Sequence, residues 1–225
     1  MKAAETEPSE GRVLLIDKPL RWTSFDTIRK IRNILGVRKV GHAGTLDPLA
    51  TGLLIVCTGP KTKEISVFQN LPKEYTGTLT LGEIRPSVDH ETEISESRDI
   101  SYITEEKLYY IASLFKGEID QVPPMHSAVK TKGKRAYKLA RKGEIFELEP
   151  RKVTLYEFEI TGIRFPEVDF RLVTSRGFYV RSLVRDFGQQ LGCGASLRAL
   201  RRTRIGNYSV DAAINLSELS APVKE

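Results

Sequence analysis

Two long strand-like segments joined by a short turn constrain the fold of this chain more than any other feature. Val153–Phe165 and Val168–Thr174 are predicted to form paired strands with a turn near Pro166. Lys73–Leu81 alternates cleanly, with its threonines on one face and its larger apolar residues on the other. Leu53–Thr58 is predicted to be a buried strand. Because strands often follow strands directly, the pattern favours an α+β fold with a mixed, largely antiparallel sheet flanked by helices.

Apolar residues at helical spacing predict three helices. The first begins near Thr23 and ends at Gly36, and the second covers Thr104–Phe115. The third and most regular helix ends at Gly192. Its apolar stripe consists of Val180, Leu183, Val184, Phe187 and Leu191.

The positive charge of the chain is concentrated in two stretches. The formal net charge is +6, with seven basic residues and no acid from Lys130 to Lys142. A second stretch, Arg176–Arg204, holds seven arginines and one acid. The segment from Glu83 to Glu106 is acidic, and its first part, to Asp99, is predicted to be an exposed excursion. Such segregation is typical of a surface that attracts a polyanion. On the evidence of charge alone, a solvated basic face without a partner is the alternative.

The chain is expected to act in the cytoplasm and away from membranes. Residues 1–11 are predicted to be a disordered tail, because they are polar and lack the apolar stretch of a signal peptide. The longest apolar runs are far too short to cross a bilayer. Cys57 and Cys193 lack partners at zinc-ligand spacing, so they are expected to be buried thiols. No linker divides the rest, and residues 12–219 are predicted to form one catalytic domain.

The least ordinary stretch of the sequence is a loop that holds one histidine and one aspartate. Gly41–Gly52 is rich in glycine and threonine, which disfavours both helix and strand, and it contains His42 and Asp47. A loop cap and a surface histidine would explain both residues without function. Nucleotide-binding loops, paired metal-binding histidines and nucleophile elbows are absent from the sequence. If the chain is an enzyme, a carboxylate is therefore its natural reactive group, with no metal or cofactor.

The same loop closely resembles the signature loop of the bacterial TruB-type tRNA pseudouridine synthases. Five further blocks resemble motifs of that family in family order and cover residues 13–210. The six blocks are Asp17–Ser24, Gly41–Leu54, Lys73–Gly82, Gln121–Tyr137, Gly177–Leu183 and Leu200–Thr203.

The resemblance implies a reaction and three catalytic residues. Enzymes of this family convert the uridine at position 55, in the T-loop of tRNA, into pseudouridine without a cofactor. Asp47 matches the essential aspartate, which acts as a nucleophile or as a base on the ribose. Arg181 matches an arginine that pairs with that aspartate, and Tyr75 matches a tyrosine that packs on the target base. Core packing would explain Tyr75 without function, and phosphate contact would explain Arg181.

The resemblance also implies how the RNA is held. The target base must be extruded from a stacked loop, and His42 matches the residue that fills the vacated space. Tyr179 is a second aromatic candidate, although a core role at the helix start would also explain it. The further residues expected to bind substrate are Lys18, Leu200, Arg202, Lys130, Lys132, Lys134 and Arg135.

The sequence departs from the family pattern in two places that concern RNA contacts. Arg21 stands where the first motif usually has glycine. The chain also stops soon after Leu219, so no C-terminal PUA-type domain is expected and the core would grip the tRNA T-arm alone. We expect a monomer that needs no protein partner. The alternatives are an RNA-binding module without activity, a relative that works in a guide-RNA particle, and a metabolic enzyme.

Overall fold

The computed structural model describes residues 10–125, 127, 129–131, 134–135, 139, 146 and 148–219. Its helices are α1 (Ser24–Leu35), α2 (Ile65–Asn70), α3 (Glu105–Leu114) and α4 (Val180–Leu191). The longer strands are β1 (Val13–Lys18), β3 (Ala50–Thr58), β4 (Lys73–Leu81), β7 (Gly117–Gln121), β10 (Arg151–Arg164), β11 (Glu167–Thr174) and β12 (Ala195–Ile205). The short strands are β2 (Val40–His42), β5 (Glu83–Ile84), β6 (Glu96–Ser97), β8 (Lys130–Thr131), β9 (Lys134–Arg135) and β13 (Tyr208–Ser209).

The chain divides into two compact units, and the division falls within β4 and β12. The first unit comprises the residues up to Tyr75 and those from Leu200 onward, and the second comprises Thr76–Ala199. The mixed α/β architecture with a largely antiparallel sheet confirms the predicted fold class. The proposed extent of the catalytic domain, residues 12–219, stays a prediction.

The first unit is organised around β3, which is buried on both faces. It pairs antiparallel with β1 and β2 and parallel with β12. Leu54 and Val56 pack against α1, whereas the alternate residues Ile55 and Cys57 pack with Phe68 of α2. A strand that is buried on both faces carries a continuous apolar run, as Leu53–Thr58 does. The structure confirms the prediction that this segment is a buried strand.

The second unit packs helices against an antiparallel sheet. β10 pairs with β11, as the predicted hairpin requires. On its other edge β10 pairs with β7. Phe187 of α4 makes edge-on contacts with Phe115 and Phe158. The left-handed conformation of Gly192, at φ 85°, ends α4 at the predicted residue.

Three expectations meet a different structure or fall outside it. Ser87, Val88 and Asp89 are buried, so the acidic segment is not wholly an exposed excursion. The sequence also predicts a short basic helix over Arg135–Lys142, but Arg135 belongs to strand β9 and most of that stretch lies outside the described residues. Of the predicted tail, residues 1–9 also lie outside them, but Gly11 is closely packed, since a Cβ there would lie 2.2 Å from the carbonyl oxygen of Thr58.

The described helices include none that combines the length and the apolar character needed to cross a membrane.

Candidate active site

Asp47 lies in the loop between β2 and β3 of the first unit, and backbone hydrogen bonds fix its surroundings. The residue before it, Leu46, is buried, and its N–H donates to Ser24 Oγ over 2.9 Å. Ser24 Oγ in turn donates to the carbonyl of Leu46 over 3.2 Å. The N–H of Ala50 donates to the carbonyl of Asp47 over 3.0 Å. The half-buried carboxylate of Asp47 is therefore carried on a loop tied to the first residue of α1.

Arg202 holds the same loop from β12. Its Nε donates to the carbonyl of Leu53 over 2.8 Å and its Nη2 donates to that of Gly44 over 3.1 Å. Gly52 lets the two strands approach, because a Cβ there would lie 2.3 Å from the Arg202 carbonyl oxygen. The guanidinium is buried, with 1% of the residue exposed. Two of its donors thus shape the loop, and the expected role of Arg202 in binding RNA stays a prediction.

Lys18 is also buried, and its expected contact with RNA stays a prediction. Its Nζ donates to the carbonyls of Pro19 over 2.9 Å and Trp22 over 2.6 Å. Burial lowers the pKa of Lys18 to about 8, while attraction to Asp47 acts in the opposite direction. The ammonium thus lies inside the first unit and shapes the turn after β1.

His42 lies at the end of β2, and its imidazole ring is half-buried. Its Nδ1 is buried and has no hydrogen-bond partner among the residues that the structure describes. Burial and the nearby charge of Arg202 lower the pKa of His42, and a contact with the backbone of Gly44 opposes this in part. A lowered pKa favours the neutral form of the ring.

The two remaining candidates of the first unit are Tyr75 and Leu200. Tyr75 is buried in β4, with 8% of the residue exposed. Leu200, in β12, is half-buried and pairs with Ala50, the residue at which β3 begins. Leu200 is thereby held close to the end of the Asp47 loop.

Arg181 lies in the second unit, near the start of α4, and contacts the acidic segment. Its Nε is 3.7 Å from Asp89 Oδ2, and its Nη1 donates to the carbonyl of Ser87 over 3.2 Å. Val88, between these two partners, has a φ of 65°, which is unusual for a β-branched residue. Sequence reasoning missed Asp89, because no local feature distinguishes it from the exposed acids around it. The pairing of Arg181 with Asp47 stays a prediction.

Tyr179 precedes α4 and is held by its backbone. Its N–H donates to Gln121 Oε1 over 2.7 Å, and Gln121 Nε2 donates to its carbonyl over 3.1 Å. Gln121 ends β7 and is itself buried, so two of the sequence blocks meet at this pair. The paired amide fixes the backbone of the half-buried tyrosine immediately before α4 begins.

The basic segment is described in part. Lys130 pairs with Arg135, and Thr131 with Lys134, in a short antiparallel hairpin of β8 and β9. Lys132 lies outside the described residues. Over the described part of the chain, no cluster of three or more His, Cys, Asp or Glu side chains could hold a metal ion.

Comparison with known proteins identifies the class and the family. Residues 32–180 match the TruB family pseudouridylate synthase N-terminal domain, and residues 181–224 match the tRNA pseudouridylate synthase B C-terminal domain. The chain is thus a pseudouridylate synthase by sequence and fold. Within that class it belongs to the TruB family.

Two curated relatives and one solved structure illustrate the similarity. A tRNA pseudouridine synthase B of Flavobacterium johnsoniae is 51% identical over 215 residues, which cover 92% of this chain and 94% of the relative. That of Chloroherpeton thalassium is 50% identical over 215 residues, covering 93% and 89%. A crystal structure of a Cbf5–Nop10–Gar1 complex contains a chain that is 30% identical, with a TM-score of 0.71. The match covers 92% of this chain and 53% of that one, so this chain spans about half its length.

Proposed function

We propose that this enzyme converts the uridine at position 55 of tRNA, in the T-loop, into pseudouridine. The reaction breaks the N-glycosidic bond, turns the uracil and rejoins it to the ribose through C5. Membership of the TruB family and the names of the curated relatives support a uridine isomerisation in tRNA. The observation that carries the proposal is the fixed loop of Asp47, held by Ser24 on one side and Arg202 on the other.

Asp47 supplies the reactive carboxylate in this proposal. It acts on the ribose, as a nucleophile in one chemical scheme and as a base in the other. Both schemes need the carboxylate at a defined position, since misplacement by about 1 Å can cost a hundredfold in rate. The hydrogen bonds on both sides of the loop satisfy that requirement before the RNA arrives.

The target base leaves its stack to reach Asp47, which costs about a few kcal/mol. His42 takes the space left in the RNA loop, because its flat ring can stack on bases and its ring nitrogens can form hydrogen bonds. Tyr75 packs on the extruded base and transfers the C5 proton. Tyr179, whose backbone is fixed by Gln121, is the further aromatic candidate for binding the substrate.

The rest of the tRNA is held through its phosphates. Lys130, Lys132, Lys134 and Arg135 supply the positive charge, and neutralising phosphates releases condensed counterions. The enzyme works as a monomer, in the cytoplasm where tRNA is processed, without a protein partner, metal or cofactor.

The test is to map pseudouridine in an unmodified tRNA transcript after incubation with the purified protein. Wild type is expected to convert position 55 alone, and a transcript with cytidine there should remain unmodified. Asp47→Asn keeps the shape but removes the charge, so conversion should fall by several decades while tRNA still binds. Asp211→Asn, an exposed aspartate of the same unit, is the matched control. Near-normal conversion by Asp47→Asn would refute the assignment.

A further inference from the structure

A basic cleft on the first unit lies beside α1 and outside the residues given a role above. It has a volume of about 260 Å³. Its lining residues are Arg21, Trp22, Asp26, Arg29, Lys30 and Asn33. The cleft therefore combines three cationic side chains with the single tryptophan of the chain.

The charge of the cleft is available to a ligand. Asp26 is its one carboxylate, and that group accepts hydrogen bonds from the N–H of Thr23 over 3.1 Å and from its hydroxyl over 2.6 Å. It also pairs with Arg29. Arg21 and Lys30 are both exposed. Because Asp26 is already paired with Arg29, the positive charges of Arg21 and Lys30 are not balanced by a carboxylate of the cleft. The cleft thus has a net positive charge that favours an anion.

The dimensions of the cleft favour part of a polymer over a small metabolite. Pockets that enclose small-molecule ligands typically measure about 300–1,000 Å³, and this cleft is smaller. Trp22 is half-buried, so its ring forms a fixed wall rather than a mobile surface group. Cations beside an aromatic face suit a nucleic acid, which offers phosphates to the cations and a flat base or sugar to the ring.

One backbone hydrogen bond links the cleft to the loop of Asp47. The N–H of Arg21 donates to the carbonyl of Pro48, the residue after Asp47, over 2.7 Å. Lys18 ties the same turn from inside through the carbonyl of Trp22. Arg21 has a φ of 65°, a conformation that favours glycine and costs about 1–3 kcal/mol for other residues. An arginine in this position places a cation beside the reactive loop, where a small residue would fit with less strain.

We propose that this cleft binds the sugar-phosphate backbone of the tRNA T-arm next to the target uridine. The proposal rests on the function proposed above, and adds a contact surface on α1 to the basic segment of the second unit. Arg21 and Lys30 each neutralise a phosphate, while Trp22 forms the wall against which the strand lies. Contacts of this kind position the RNA without reading its sequence.

The test measures binding of a synthetic T-arm hairpin at several salt concentrations. The variant is Arg21→Gln/Lys30→Gln, which removes both charges and leaves the Asp26–Arg29 pair intact. Each lost phosphate contact should lower the slope of log affinity against log salt by about one unit, which corresponds to about tenfold in affinity at 0.1 M salt. Arg38→Gln/Lys39→Gln removes the same charge from exposed residues beyond the other end of α1 and should bind as wild type does.

The outcomes separate this proposal from the function on which it rests. Wild type must convert the uridine of the same hairpin, and failure there would refute the proposed function. Suppose that wild type converts the hairpin. If the two double variants then have the same affinity for it, whether equal to that of wild type or equally reduced, the cleft has no specific role in binding. If Arg21→Gln/Lys30→Gln unfolds at a lower temperature than wild type, the single variant Lys30→Gln is used for the test instead. It should lower the slope of log affinity against log salt by about one unit.

Discussion

The guanidinium of Arg181 faces the carboxylate of Asp89 at 3.7 Å, with only 4% and 6% of the two side chains exposed. A charge buried to this extent requires a partner, since water cannot solvate it. Asp89 belongs to a segment that otherwise carries exposed acids, so its burial is a particular feature of this position. Arg181 is thus held by groups of the second unit, including the carbonyl of Ser87.

Replacing Asp89 should destabilise the protein and slow its reaction. Asp89→Asn leaves the Arg181 charge without its carboxylate, and we expect a loss of about 1–3 kcal/mol in the free energy of unfolding, as for other unsatisfied buried groups. Urea denaturation measures it. Glu93→Gln removes an exposed acid of the same segment and serves as control. Equal stability of the two variants would show that the pair contributes nothing.

Replacing Arg202 should act on the rate rather than on RNA affinity. Arg202→Lys keeps the charge but cannot donate to Gly44 and Leu53 together, so the loop of Asp47 loses one of its two supports. We expect single-turnover conversion at saturating tRNA to fall by up to about a hundredfold, with affinity within a few-fold of wild type. Arg38→Lys, at an exposed site, is the control. A variant that lost affinity and kept its rate would instead support Arg202 as an RNA contact.

Gly52 and Gly36 offer a matched pair of substitutions. Both have positive φ, at 101° and 64°, but a Cβ on Gly36 would meet nothing within 4 Å. Gly36→Ala should therefore cost about 1–2 kcal/mol from the backbone conformation alone. Gly52→Ala should add about 1–3 kcal/mol for the clash with the Arg202 backbone. Thermal unfolding compares them, and equal losses would contradict the close approach of β3 and β12.

The buried ammonium of Lys18 predicts a pH dependence of stability. Its pKa is about 8 in the folded protein against an ordinary value of 10.5, so the unfolded chain binds more protons between these values. Stability contributed by this group therefore rises with pH through that window and is constant below it. The difference in unfolding free energy between wild type and Lys18→Met should increase from about pH 8 to 10. Lys39→Met, at an exposed site, should show no such trend.

The elements that follow from local pattern could be predicted from the sequence. The helix over Val180–Leu191 follows from its apolar spacing and from the glycine that ends it. The strand over Lys73–Leu81 follows from its alternation. The helix over Glu105–Leu114 follows, like the first, from apolar residues at helical spacing. Each of these signals lies within a dozen residues, so no knowledge of the tertiary structure is needed.

The residues that hold the site could not be predicted, because their partners are distant. Lys18, Arg202 and Asp89 are charged, and charged residues are buried only when paired or hydrogen-bonded. Arg202 meets Gly44 across 158 residues, and Arg181 meets the carbonyl of Ser87 across 94. Similarity to a family could mark Arg202 as functional. The direction of its side chain, however, depends on the parallel pairing of β3 with β12, and no local sequence pattern predicts that pairing.

The long separation between the Asp47 loop and Arg202 also sets when the loop acquires its shape. When Gly44 and Leu53 are synthesised, the side chain that will donate hydrogen bonds to their carbonyls is still about 150 residues from being translated. Water must satisfy those carbonyls until then. A nascent chain therefore carries Asp47 long before it carries the side chain that supports the Asp47 loop, and the loop acquires its shape only after Arg202 has been made.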